Sequence, residues 1–257
     1  MIVFKKIKTL KKIFKIIKNR QTYFLDYFGL IKGQFVEYEL KNGVRYKTRS
    51  KTFDRYIINE VWIHNLYTQE FGIREKDIVL DIGAHIGIFS IFASKIARKG
   101  KVYAFEPSPE SFKLLKENIS LNNLKNIIPV NKGFSSKKGG RKMYISNEDH
   151  REDSFYSRGK KEIEIKTISL NDFFKEYNID KIDFLKMDCE GAEYEIFRNS
   201  SKKSLRKLKK IAMEYHNIGE KKNLNSLKTF FKKNGFIVKE GHKGENNGIL
   251  YLINTNS

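Results

Sequence analysis

Asp188, Glu190 and Glu193 put three carboxylates into six consecutive positions. Such a set acts as a general base or positions an acceptor, ligates a divalent cation, or caps a helix and supports a sheet. Alternate oxygen ligands at Asp188 and Glu190 suit a cation. No complete coordination shell is visible, so no metal ligand is assigned. Glu193 is predicted on the first turn of a helix, where the macrodipole stabilises its charge. Glu214 and His216, in AMEYH at the end of the next predicted strand, face the same edge and are further candidates for a base.

A second constellation runs from Ile78 to Ser90, IVLDIGAHIGIFS. The pattern predicts a buried strand ending at Asp81, a glycine-containing turn, and a helix starting after Gly87. That layout lets a ligand approach the backbone at Gly83 and Ala84 and at the helix N-terminus. The turn reads D-I-G-A-H-I-G. This is neither the G-x-G-x-x-G of dinucleotide folds nor a phosphate loop ending in G-K-[ST], which disfavours NAD and ATP. The next predicted strand ends in Phe105, Glu106 and Pro107, with the acid about twenty positions beyond the turn. A carboxylate there accepts hydrogen bonds from two ribose hydroxyls of an adenosine-containing ligand. The candidate cofactor-binding residues are Asp81, Gly83, Ala84, His85, Gly87, Glu106 and Pro107.

These residues need a scaffold that brings strand ends together. IVLDI, KVYAFEP and NIIPVN read as strands alternating with the helices SIFASKIARK and PESFKLLKENISLN. The series resumes with the helix SLNDFFKEYN, the strand IDFLKMD, a helical region over 191–208, the strand KKIAMEYH and the helix NLNSLKTFFKKNG. GFIVKEG and GILYLIN form an antiparallel closing pair. Strand and helix alternating at this length predict an α/β fold with a mostly parallel sheet. Residues 135–167 interrupt the alternation: RKMYIS and KEIEIKTIS are predicted strands around the polar loop NEDHREDSFYSRGKK, an insertion on the ligand side of the sheet.

Residues 1–54 form an extension. Its first segment, MIVFKKIKTLKKIFKIIKNR, predicts a basic amphipathic helix. Val3, Phe4, Ile7, Leu10, Phe14 and Ile17 line one face, and Lys5, Lys8, Lys11, Lys12, Lys15 and Lys18 fill much of the other. The apolar stripe either docks on the protein's own core or a second subunit, or lies on an anionic membrane surface. QFVEYEL and VRYKT flank Asn42-Gly43, a strong hairpin signal. Residues 55–72 read as a helix.

A strand, the turn D-x-G-x-x-x-G and an acid closing the second strand together resemble the class I S-adenosylmethionine-dependent methyltransferases. IDFLKMDCEGAEYEIF, from Ile182 to Phe197, resembles the FkbM family, whose mark is D-x-E-G-x-E, here Asp188, Glu190, Gly191 and Glu193. That family's first motif, D-[IV]-G-A-[NH]-x-G, is matched by Asp81, Gly83, Ala84, His85 and Gly87. TISLNDFF is similar to its T-[IL]-x-L-D-D-F segment, with Asn171 in place of the first Asp. The resemblance covers residues 55–253. It implies a Rossmann-like class I methyltransferase domain over 55–257, with helices on both faces of the sheet and an antiparallel C-terminal strand. It also implies S-adenosyl-L-methionine as cofactor, and an O-methyltransferase acting on a hydroxyl of a sugar, glycolipid or other small metabolite. Asp188, Glu190, Glu193 and His216 would be its catalytic set. Position 85 is more often Asn in that family, which predicts a backbone at positive φ that Asn and His tolerate. An RNA methyltransferase and a non-catalytic binding protein retaining the fold are the alternatives.

Composition bounds the rest. The 257 residues are 40% hydrophobic and 13% aromatic, enough for a packed core despite 32% charged residues. Fifty-one Lys and Arg against thirty Asp and Glu leave a net charge of +21, which suits an anionic partner or reflects a compositionally biased genome. Eight basic side chains and no acid lie in residues 1–20, and eleven basic ones in 202–233 against Glu214 and Glu220. Cys189 is the single cysteine, which excludes an internal disulfide and a Cys-rich zinc site and points to a reducing, cytoplasmic compartment. Neither a long apolar span nor a secretion signal is expected, so membrane contact would be peripheral, at the inner surface through residues 1–20. With only Pro107, Pro109 and Pro129, the [DNS]-P-P-[YF] motif of enzymes that methylate base amino groups is absent, which disfavours nucleic acid as acceptor.

Overall fold

The computed structural model describes residues 2–145, 161–219 and 222–256. The chain opens with helices α1 (Ile2–Ile16) and α2 (Arg20–Tyr27), the hairpin β1 (Phe35–Glu39) and β2 (Arg45–Arg49), and α3 (Asp54–Ile58), which runs on as a π-helical turn over Asn59–Ile63. Next come β3 (Ile78–Ile82), α4 (Ile88–Ile96), β4 (Lys101–Phe105), α5 (Pro109–Leu121) and β5 (Ile127–Val130). Three strands follow, β6 (Gly133–Phe134), β7 (Gly139–Ile145) and β8 (Lys161–Ile168), then α6 (Leu170–Glu176), β9 (Phe184–Met187), α7 (Glu193–Arg198) and α8 (Lys202–Arg206). The chain closes with β10 (Lys210–His216), α9 (Leu224–Lys233), β11 (Phe236–Lys243) and β12 (Asn247–Asn254).

Seven strands form the main sheet in the order β11-β12-β10-β9-β3-β4-β5. The five from β10 to β5 are parallel, and β12 runs antiparallel to both β10 and β11. The central strands β3 and β9 are apolar along almost their whole length because helices cover both faces. On one face Val79, Ile91 and Leu115 share a cluster with Ile17, Tyr38 and Tyr46 of the extension. On the other, Leu80, Phe105 and Met187 pack with Phe173, Phe197 and Phe231. The hairpin turns at Gly43 (φ +81°) and pairs Tyr38 with Tyr46. It is bonded to α5, where Asn118 Oδ1 accepts from Lys47 N at 2.7 Å.

Local structure departs from expectation in three places. In α1 and the residue after it, Ile13 and Ile17 are buried while Leu10 and Phe14 stay 42% and 41% exposed. The docked face is therefore offset from the predicted stripe, of which only Ile17 is buried among the described side chains. Lys12 reinforces the offset by donating to the Ile63 carbonyl (3.0 Å). The side chains of Val3, Phe4, Lys5, Ile7 and Lys8 lie outside the described residues. The helix predicted over 55–72 stops after Ile63, and two residues on Asn65 turns left-handed (φ +52°), a common helix stop. The helical region 191–208 is two helices, because Ser201 caps α8 by accepting from Ser204 N.

The interruption over 135–167 contributes β7 and β8, which pair antiparallel, to a separate three-stranded sheet β6-β8-β7 whose first strand precedes it. Most of the polar loop between them lies outside the described residues. No helix among the described residues is long and apolar enough to cross a membrane.

Candidate active site

Asp81, one residue before the end of β3 and not at its end as expected, is fully buried, accepts from Ser90 Oγ at 2.5 Å, and lies 3.4 Å from Lys186 Nζ. Lys186 reaches it from the neighbouring strand β9 and also donates to the Gly83 carbonyl at 2.7 Å. Burial works against the Lys186 ammonium, but Asp81 and Asp188 outweigh it and its pKa lies above the ordinary value. Burial pushes the Asp81 carboxyl up, and Lys186 and Ser90 pull it back.

The turn that follows is held from inside. Gly83 N and Ala84 N both donate to the Phe105 carbonyl (3.0 and 2.9 Å). Those two amides are thus spent on the turn itself. A Cβ on Gly83 would stand 1.8 Å from the Asp188 carbonyl oxygen, so the glycine lets the ends of β3 and β9 approach. His85 has φ +53°, the left-handed conformation expected of position 85.

Glu106, 6% exposed, stitches the turn to the end of β4: Oε2 accepts from His85 N (2.7 Å) and Oε1 from Ser108 N (2.8 Å). Both oxygens are thus fixed in place at the strand end, where a carboxylate can accept from ribose hydroxyls. The Ser108 hydroxyl is buried without a hydrogen-bond partner among the described residues. A carboxylate fixed at the strand end and an orphaned hydroxyl beside it fit a bound nucleoside. Pro107, between them, has its carbonyl held by Asn131 Nδ2 (3.0 Å).

The extension reaches this turn. Arg49 of β2 and Asp54 of α3, both buried, form a two-pronged ion pair, Nε to Oδ2 at 3.1 Å and Nη2 to Oδ1 at 3.0 Å. His85 Nε2 lies 2.5 Å from Arg49 Nη2 and 3.6 Å from Asp54 Oδ1. Burial raises the Asp54 carboxyl, but His85 and Arg49 outweigh it and leave it below its ordinary range. Nothing local ties Arg49 or Asp54 to the turn, since His85 is more than thirty positions away from both.

The acidic residues converge at the ends of β9 and β10. Asp188 follows β9, and its Oδ2 accepts from Tyr67 Oη at 3.4 Å. Glu190 sits in the turn with φ +49°, and its Oε2 is 3.3 Å from His216 Nε2. Glu193 opens α7 fully buried, with Oε1 2.8 Å from His216 Nδ1. Glu214 and His216 alternate by two on β10 and so share a face. Asn247 Nδ2 donates to Glu214 Oε1 at 2.7 Å. One ligand atom from each of Asp188, Glu214 and His216 lies within 4.8 Å of the others. Glu193 thus orients His216 from behind, and Tyr67 and Asn247 are supports that the sequence pattern did not single out. Lys186 was findable: a lysine inside a buried apolar strand demands a carboxylate partner.

Burial opposes a charged His216, yet Glu193, Glu190 and Asp188 outweigh it and push its pKa up to about 10. Burial and then Asp188 push Glu214 up to about 9. Both folded values exceed the ordinary 6.5 and 4.5, so each group's contribution to stability is complete below its ordinary value and is lost as pH rises through its folded one. In protein stripped of divalent cations, Glu214→Gln keeps position 214 neutral and is expected to flatten the decline of the thermal midpoint between pH 5 and pH 9. An unchanged slope in thermal unfolding would show that Glu214 is not held neutral.

The reversed strand beside β10, the glycine turn after β3 and the acid closing β4 define a class I S-adenosylmethionine-dependent methyltransferase. The Methyltransferase FkbM domain matches residues 81–238, and the chain belongs to the FkbM family of methyltransferases. It is 24% identical over 201 residues to Methyltransferase sdnD of Sordaria araneosa, covering 66% of this chain and 77% of that protein. It is 28% identical over 194 residues to Hexuronic acid methyltransferase AglP of Haloferax volcanii, covering 71% of this chain and 77% of that one. Among solved structures, M. jannaschii TYW2 in complex with AdoMet aligns over 86% of this chain and 85% of that one, at 17% identity and a TM-score of 0.45.

Proposed function

We propose that this methyltransferase acts on a hydroxyl of a sugar, glycolipid or other small metabolite. The observation that carries the proposal is the set of carboxylates around His216, lying across from the cofactor turn where Asp188 backs onto Gly83. A hydroxyl must lose its proton as it is alkylated, and carboxylates at the strand ends take it. Bound S-adenosylmethionine supplies an electrophilic methyl group on a sulfonium. Glu106 holds the ribose, and Asp188 and Glu190 orient the hydroxyl and accept its proton. The methyl group would pass to the acceptor oxygen with the carbon–sulfur electron pair left on sulfur, while these residues hold the two reactants and take the proton. The name of the relative AglP, a hexuronic acid methyltransferase, supports a sugar acceptor. Incubation with S-adenosylmethionine and a panel of glycans, followed by mass spectrometry, is expected to show one hydroxyl hydrogen replaced by methyl. Methylation of RNA with no glycan product would overturn the proposal.

We propose further that the N-terminal helices hold the enzyme against an anionic membrane. Exposed Lys11, Lys15 and Lys18 neighbour the exposed Leu10 and Phe14, and α2 with the loop after it presents Leu25, Tyr27, Phe28 and Leu30 to solvent. Cosedimentation with anionic but not neutral vesicles supports this role, and equal partition to both would contradict it.

A further inference from the structure

We propose that Asp188, Glu214 and His216 bind a divalent cation of the Mn2+ class at the acceptor edge. The inference rests on the reading of this edge as the place where the acceptor hydroxyl sits, and adds a metal to it.

Geometry is the first support. The three residues come from adjacent parallel strands, and their ligand atoms lie within 4.8 Å of one another. Ligands about 2.1 Å from an ion stand about 3–4 Å apart, so small side-chain rotations close the shell. His216 and Glu214 side chains keep 16% and 21% exposure, enough for an ion to enter from solvent.

The second support lies outside the three. Each would-be ligand is held by a group that is not itself a ligand: Tyr67 Oη on Asp188 Oδ2 (3.4 Å), Asn247 Nδ2 on Glu214 Oε1 (2.7 Å), and Glu193 Oε1 at His216 Nδ1 (2.8 Å). A buried carboxylate behind the far nitrogen of an imidazole fixes the tautomer that offers the near one, and is the usual outer shell of a metal-bound histidine. Asp188 Oδ1 is shut off from solvent and has no hydrogen-bond partner among the described residues. That orphaned atom fits a cation that is to be bound there.

Charge is the third support. Asp188, Glu190 and Glu193 gather around one imidazole, and Lys186 is already engaged with Asp81 and the Gly83 carbonyl. Two carboxylates and one imidazole suit Mn2+ and its neighbours better than a thiophilic ion. With His216 Nε2 turned to the cation, Glu190 loses its present contact with that nitrogen and is left as the carboxylate that takes the acceptor's proton. Asp188 then acts on the hydroxyl through the cation.

The test uses the full chain, dialysed against a chelator and titrated with Mn2+ alone, with free Mn2+ followed by electron paramagnetic resonance. One ion per chain is expected. Glu193→Gln, which removes only the outer support of His216, should weaken binding about tenfold or more, and His216→Gln at least as much. Binding of S-adenosylhomocysteine should be unaffected by the chelator, because the turn from Asp81 to Gly87 provides no ligand, and this binding also reports that each variant is folded. If His216→Gln fails that check, Asn247→Ala supplies the same comparison through Glu214. No Mn2+ binding at millimolar concentration, or affinity unchanged in the folded variants, overturns the site. Stoichiometric Mn2+ binding without methylation of any hydroxyl would sink the acceptor proposal and leave the cation site standing. Methylation undiminished by the chelator would do the reverse.

Discussion

Asp188→Asn is expected to lower turnover by about 10²–10⁴-fold while leaving affinity for S-adenosylhomocysteine close to that of the unaltered enzyme. The substitution is nearly isosteric. An Asn side-chain oxygen still accepts from Tyr67 Oη, as Asp188 Oδ2 does at 3.4 Å. The Asp188 backbone is also undisturbed, its N–H donating to the Ile82 carbonyl at 3.0 Å. What is lost is a negative charge that accepts a proton or holds a cation against the acceptor oxygen. The effect should therefore appear in kcat with the true acceptor and not in cofactor binding. Turnover within a few-fold of the parent would remove Asp188 from the chemistry and shift attention to Glu190 and Glu214.

Gly83→Ala is expected to abolish cofactor binding and to destabilise the fold strongly. Two costs combine. The backbone at φ +74° disfavours any Cβ, by about 1–2 kcal/mol. The new methyl group would also stand 1.8 Å from the Asp188 carbonyl oxygen. Backbone cannot swing aside as a long side chain can, so β3 and β9 must part. That separation disturbs the Lys186 bond to the Gly83 carbonyl and the distance between the cofactor turn and the acceptor edge. Gly29→Ala is the control, since it shares a left-handed backbone (φ +70°) but has open space around it. It should lose only about 1–2 kcal/mol. Equal losses for the two variants in denaturant unfolding would show that the close approach at Gly83 is unimportant.

How far the sequence spoke depended on whether its signals were local. IVLDI was legible as β3 because a central parallel strand is buried on both faces and leaves a run that only Asp81 interrupts. The Asn42-Gly43 hairpin and the acid at Glu106 were legible for the same reason, since a short span carries the whole constraint. The carboxylates after β9 could be gathered from the chain, and so could Glu214 and His216. Which of them stands at the open side of His216 and which behind it could not, because Glu193 differs from Glu190 only in the backbone turn that buries it. Arg49, Asp54 and Tyr67 reach the site through tertiary packing and leave no periodic mark. The docked face of α1 was misplaced because apolar residues occur on more than one side of that helix: Ile13 is buried where α1 meets the π-helical turn, and Ile17, just past the helix, where it bridges Leu40 of the hairpin.

A crystal structure with S-adenosylhomocysteine bound is the most direct measurement. The ribose hydroxyls should lie on Glu106, and the sulfur should face the edge formed by Asp188, Glu190, Glu214 and His216. An adenosine seated away from Glu106, or a sulfur turned from that edge, would contradict the assignment of these residues to methyl transfer.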